Sequence, residues 1–146
     1  DVIITAPGSY TVTIKGPYTV NSLVLGGAGS SPTLRINGAG YMGTSLAVNS
    51  SFTNSATIEL TSDYGITAGL NVNGGPLVND AAGVILVSTG VGGGRYIHAE
   101  LDNRGTLTLG DLDYPLVISE NGAAHTNSGT ITANAAMALA EQRSPA

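Results

Sequence analysis

The densest run of ionisable side chains is Tyr96-Ile97-His98-Ala99-Glu100-Leu101-Asp102, flanked by Arg95 and Arg104. In an extended strand successive side chains point to opposite faces. Tyr96, His98, Glu100 and Asp102 are then expected on one outward face, with Ile97, Ala99 and Leu101 facing inward. A carboxylate pair beside His and Tyr suits acid–base chemistry on a sugar, with Glu100 and Asp102 as the acid and base. The same two carboxylates suit Ca²⁺, which takes oxygen ligands. The plainer reading is a solvated strand face, the ordinary setting for charged side chains. Ligand binding, if present, is expected at Tyr96, His98, Glu100, Asp102 and Arg104.

Asp111-Leu112-Asp113-Tyr114 is a second candidate, a loop in which Asp111 and Asp113 could meet Ca²⁺. Two carboxylates make a sparse cage, and the Gly-Gly-x-Gly-x-Asp calcium repeat is missing. Gly92-Gly93-Gly94 is followed by neither Lys-Ser/Thr nor a helix start, so it is no phosphate loop. No Gly-x-Ser-x-Gly elbow and no Cys nucleophile is present, and no catalytic residue set emerges.

These candidates sit inside a repeat. Leu101–Gly110 reads LDNRGTLTLG; related phrases are FTNSATIEL (52–60), LVNDAAGVILV (77–87) and HTNSGTITA (125–133). The marker residues Asn54, Asn79, Asn103 and Asn127 are spaced by 25, 24 and 24 residues. A weaker copy, YTVNSLVLG (18–26), places Asn21 a longer step of 33 residues before Asn54, which reads as an insertion or a skipped corner. Four residues after Asn stands Ile58, Leu107 or Ile131; in the Asn79 copy Ile85 takes that role, because Ala81 and Ala82 lengthen the turn. His125 occupies the place of Phe52 and Leu101 and is expected at a corner rather than on a ligand.

A fixed period of this size marks stacked units that cannot bury their apolar faces alone. Strands such as Thr106-Leu107-Thr108-Leu109 alternate with period two, and the 21 glycines punctuate the gaps between apolar runs. The expected fold is all-β: a single-stranded parallel β-helix of about five to six rungs over residues 1–133. Asn suits the repeat corners because it tolerates tight turns and its amide can bond along a stack of its own kind. Asn54, Asn79, Asn103 and Asn127 are therefore expected to form a structural ladder. Residues 134–146 are Ala-rich behind Asn134 and are expected to form a short C-terminal helix or a flexible tail.

The phrase L-x-N-x-G-T-[IL]-T, with Gly-rich turns and Ser, Thr and Asn between them, resembles the right-handed β-helix repeats of secreted bacterial proteins. These include autotransporter-adhesin passenger regions and the pectate-lyase-like superfamily. The resemblance covers roughly residues 2–133. It implies a secreted or cell-surface bacterial protein, and a structural or adhesive module meeting a surface glycan or protein. Two other classes fit the same resemblance: a lyase- or glycosidase-like domain using Glu100 and Asp102, and a trimeric fibre or assembly segment.

Composition narrows the partners. Only 5 Lys and Arg oppose 10 Asp and Glu, for a net charge of −5, so a phosphate track or anionic membrane surface has little to attract it. No stretch approaches the apolar length that spans a bilayer, so membrane insertion is not expected. The chain opens at Asp1 without Met or signal peptide, which reads as a processed chain or an excised fragment. A proline inside a stacked strand removes a ladder hydrogen bond. Leu107→Pro is therefore expected to abolish folding, seen as loss of the β-sheet circular dichroism signal; a soluble, native-like variant would contradict the assignment.

Overall fold

The computed structural model describes residues 1–142, which contain eighteen short strands and no helix. They follow one another three to a turn. The first turn has β1 (Val2–Ile4), β2 (Gly8–Ile14) and β3 (Pro17–Val20), and the second β4 (Leu23–Gly26), β5 (Ser30–Gly38) and β6 (Thr44–Val48). The third has β7 (Phe52–Ser55), β8 (Thr57–Ser62) and β9 (Ala68–Val72), and the fourth β10 (Leu77–Asn79), β11 (Val84–Val87) and β12 (Arg95–His98). The fifth has β13 (Leu101–Asn103), β14 (Thr106–Leu109) and β15 (Leu116–Asn121), and the sixth β16 (Thr126–Asn127), β17 (Thr130–Ala133) and β18 (Met137–Gln142). Every third strand pairs in parallel, which gives three six-stranded sheets: β1 through β16, β2 through β17, and β3 through β18. This is a parallel β-solenoid of about six turns.

Register follows the apolar alternation. In the second sheet Val12, Leu34, Ile58, Ile85, Leu107 and Ile131 stack in one inward column. Ile85 thus pairs with Ile58 and Leu107 despite the longer turn before it. In the third sheet Leu46, Leu70, Ile97, Ile118 and Leu139 do the same. A slip of one residue would turn a whole column outward, so burial holds the register. The outward neighbours Val84 and Leu86 are only half-buried on the second sheet.

At the corner between the first and second sheets, amides form a ladder. Asn54 Nδ2 donates to Asn79 Oδ1 at 2.8 Å, Asn79 to Asn103 at 2.7 Å and Asn103 to Asn127 at 2.6 Å. The same Nδ2 groups also donate to carbonyls one turn on, those of Val84, Thr106 and Thr130. Asn54, Asn79 and Asn103 are wholly buried, so each amide is satisfied by the chain and not by water. Beside the ladder stand Ala56, Gly83, Gly105 and Gly129. A Cβ on Gly105 would run into the carbonyls of Asp80 and Gly83, so the close approach of successive turns there requires glycine.

Two expectations are corrected. The marker position of the second turn is Leu25, paired with Asn54, and not Asn21, which stands in the corner before β4. No corner is skipped; the extra length lies in the Gly27–Gly29 turn and the loop at residues 39–43. The C-terminal segment is also no helix over its described part. Met137–Gln142 is a strand paired with all of β15, extending the third sheet beyond residue 133, while residues 143–146 lie outside the described residues. The reason is an edge. β15 offers a row of unpaired backbone groups, and satisfying them outweighs the weak helix preference of alanine. Met137 and Leu139 also fall on the inward columns over Leu116 and Ile118.

Asn79→Ala removes one of the two acceptors of Asn54 Nδ2 and leaves the buried Oδ1 of Asn103 unpaired. It is expected to lower stability by about 2–4 kcal/mol in urea unfolding, whereas Asn127→Ala, at the exposed end of the ladder, is expected to lower it by less than about 1 kcal/mol.

Candidate functional site

The residues expected to share one face do not. The chain turns at Ala99–Glu100, which splits them between sheets. Tyr96 and His98 lie on β12 in the third sheet, Glu100 stands in the corner, and Asp102 lies on β13 in the first sheet, with Arg104 just beyond it. Alternation along the strand was the right rule within each piece, but a solenoid corner resets it. His98 Nδ1 lies 2.8 Å from Ser119 Oγ, and its ring sits 4.6 Å from that of Tyr96. Asp102 accepts from Arg104 Nε at 2.8 Å and from Thr126 Oγ1 at 2.9 Å. The Arg104 hydrogen bond, then the Thr126 hydroxyl, hold its carboxyl below the ordinary range. A general acid needs the opposite shift.

Asp111 and Asp113 are both exposed. Thr89 Oγ1 donates to the Asp111 carbonyl at 2.6 Å, while the Asp113 carboxylate reaches toward Gly92. Among the described residues no group of three or more His, Cys, Asp or Glu converges as a metal cluster would. His125 is half-buried, and its Nδ1 accepts from the Leu101 amide at 3.1 Å, a contact between turns.

A different feature dominates the surface. Of the ten large apolar side chains exposed among the described residues, Tyr41, Met42, Tyr64, Val91 and Tyr114 all lie at the corner between the second and third sheets. They are carried by loops of four successive turns, residues 39–43, 63–67, 88–94 and 110–115. Because turns rise about 4.8 Å each, the loops form a ridge running along the solenoid axis. Two grooves lie along it. One, of about 610 Å³, is bounded by Gly65–Thr67, Gly93–Tyr96 and Tyr114–Pro115. The other, of about 490 Å³, is bounded by Lys15, Tyr41 and Tyr64, and shares Ile66 with the first.

Arg95 organises the ridge from beneath. It faces inward from β12 and is only 2% exposed. Its Nη1 donates to the carbonyls of Gly92, Gly93 and Gly94, and its Nη2 to those of Ser88 and Thr89. Among the described residues no carboxylate neutralises it. Burial therefore pulls the guanidinium below its ordinary value, and five carbonyl dipoles offset the loss of water. Its Nε finds no partner. The result is a Gly-rich loop pinned by one cation, forming the groove floor. Tyr96 is seated by Gly69, where any Cβ would collide with its ring.

Polar groups flank the aromatic ones. Lys15 Nζ lies 3.7 Å from Asp63 Oδ2, which also accepts from Asn37 Nδ2 at 2.6 Å. A row of aromatic faces with hydroxyl-binding groups beside it can stack and orient an extended polar polymer, but it holds no nucleophile–base pair. Sequence reading found Tyr96 alone of these. It placed Arg95 as a flank of an outward face and read Tyr114 as part of an acidic loop. The usable signal was one exposed aromatic or apolar residue in each Gly-bounded loop at the repeat period.

Comparison with protein-family models, with curated proteins and with solved structures finds no match. Among the described residues no helix is long and apolar enough to cross a membrane.

Arg95→Met removes the donor of five carbonyls. It is expected to lower stability by roughly 2–4 kcal/mol and to speed amide hydrogen exchange selectively at residues 88–94. Asp102 is expected to titrate below an ordinary carboxyl in an NMR pH series and to move upward in Arg104→Leu. Because its folded value is depressed, its contribution to stability is present above the unfolded value and is lost as pH falls through the folded one.

Proposed function

We propose that the protein is a non-catalytic β-solenoid module of a secreted or cell-surface bacterial protein, and that it binds an extended carbohydrate along the corner carrying Tyr41, Tyr64 and Tyr114. The observation that carries this reading is the concentration of exposed large apolar side chains on one corner of four successive turns. Soluble monomers seldom expose such contiguous patches without using them. Tyrosine is suited to sugars because its ring offers an apolar face and its hydroxyl a hydrogen bond. The partner of such a ridge is a polymer, since the platforms recur along an axis rather than converge on a point. Loops on a rigid scaffold are also the usual place for binding residues.

The lyase- or glycosidase-like reading keeps Glu100 and Asp102 as its acid and base. Asp102, held ionised by Arg104 and Thr126, is in the state of a base, so the role of acid would fall to Glu100 in the corner.

A panel of soluble polysaccharides, measured by calorimetry with and without Ca²⁺, tests the proposal. At least one polysaccharide is expected to bind without turnover, and Tyr64→Ala and Tyr114→Ala are each expected to weaken it by roughly tenfold. Binding unchanged in both variants would sink the ridge as the site. Release of reducing ends or unsaturated products, lost in Glu100→Gln, would replace the module by an enzyme.

A further inference from the structure

On the carbohydrate reading of the ridge, we infer that its polymer is a β-1,4-linked chain of amino sugars, selected by Asp63 and Asp113. The ridge tyrosines of the third and fifth turns each follow an aspartate, as Asp63-Tyr64 and Asp113-Tyr114, and all four residues are exposed. The turn between them carries Val91 on the ridge and no ring. The Asp-Tyr pair thus recurs at the second turn on, an axial rise of about 10 Å. A β-1,4-linked pyranose chain is an extended ribbon in which each ring is turned over relative to the last. The same face returns at every second sugar, a step close to two strand spacings. An α-1,4-linked chain coils and does not keep one face toward platforms set along an axis.

The platforms are held in place by the turns beneath them. Ser62, wholly buried, accepts from the amides of Tyr64 at 3.3 Å and Ile66 at 2.9 Å, and donates to the Gly38 carbonyl of the turn before. Asn37, also buried, holds Asp63 twice: its Oδ1 accepts from the Asp63 amide at 3.0 Å, and its Nδ2 donates to the carboxylate. That carboxylate is therefore fixed beside the Tyr64 loop. In the fifth turn the Thr89 hydroxyl holds the Asp111 carbonyl, and the Asp113 carboxylate lies against Gly92. Groups ordered before binding lose less conformational entropy when a ligand arrives.

Charge decides between sugars. The four ridge loops contain Asp63, Asp111 and Asp113 and no Lys, Arg or His. Lys15 bounds one groove, but its Nζ already lies 3.7 Å from the Asp63 carboxylate. Arg95 gives its Nη groups to loop carbonyls, and its Nε is buried away from solvent. A polyuronate would set carboxylates against carboxylates, and like charges brought together across an interface oppose binding. The ammonium groups of an amino-sugar chain meet Asp63 and Asp113 instead, as charge-assisted hydrogen bonds beside the stacked rings. The net charge of −5 steers the same chain toward the protein.

The test is calorimetry of the whole chain with four hexamers: β-1,4-linked glucosamine, cellohexaose, β-1,4-linked mannuronate and maltohexaose. All are measured with a chelator present at mildly acidic pH, where the sugar amines are charged and the aspartates ionised. The glucosamine hexamer is expected to bind roughly tenfold tighter than cellohexaose, and the other two not measurably. Asp63→Asn combined with Asp113→Asn is expected to erase that margin while cellohexaose binds as before. Glu120→Gln removes a charge from the third sheet, away from the ridge, and is expected to leave the margin intact. Should circular dichroism show the double variant misfolded, Asp113→Asn alone is expected to cut the margin about threefold. Equal affinity for the glucosamine hexamer and cellohexaose, binding of mannuronate or maltohexaose, or a margin untouched by the aspartate variants would overturn this inference and leave the ridge standing. Binding of no hexamer, or binding unaffected by Tyr64→Ala and Tyr114→Ala, would overturn the ridge with it.

Discussion

Everything in this molecule depends on successive turns lying one strand spacing apart, about 4.8 Å, at every point around the coil. Backbone ladders impose that spacing along the three sheets, but they cannot impose it at corners. Between the first and second sheets the spacing is held by an amide ladder in which Asn54 donates, Asn79 and Asn103 both accept and donate, and Asn127 accepts. Gly83, Gly105 and Gly129 beside them leave no side chain where the carbonyls of the neighbouring turn must pass. Corner and core are thus coupled: loss of the amide ladder would let turns drift, and the Ile58–Ile85–Leu107 column would lose its registry.

The three corners are not alike. The amide corner is short in most turns and has little room for variation. The corner between the second and third sheets carries loops of up to seven residues, from Ser88 to Gly94, and there the chain departs from its own period. Those loops hold Tyr41, Tyr64 and Tyr114, and the buried charge of Arg95 pins one of the loops. A buried guanidinium bound only to carbonyls is an expensive arrangement for a structural loop. It is intelligible where a loop must keep its shape while its outer face meets something else. The solenoid therefore divides its labour by corner, with invariance of spacing at one and display at another.

The repeat was plain in the amino-acid sequence because stacking forces like residues to recur at the turn length. Period-two alternation placed Ile58, Leu107 and Ile131 inward, and the recurrence of Asn-x-Ala/Gly located the tight corner. The limits of that reading are equally physical. Alternation was carried straight through Ala99–Glu100, so Tyr96 and Asp102 were put on one face although a corner lies between them. Local helix propensity over residues 134–146 carries no sign that β15 presents an open edge to Met137–Gln142. Asn21 matched the marker by type, while Leu25 matches it by position; one apolar residue in an amide column is invisible to a search for asparagine.

The sequence by itself determined the class of fold, the parallel stacking and the inward columns, since each follows from local periodicity and from the turn chemistry of Gly and Asn. Only the tertiary structure decided where the corners bend, that Met137–Gln142 joins the third sheet, and that Tyr41, Tyr64 and Tyr114 share a ridge. Those facts depend on residues 21 to 73 positions apart being brought together by the coil, and the length of each loop sets which ones line up. Alternation in one strand carries no information about the strand that lies above it.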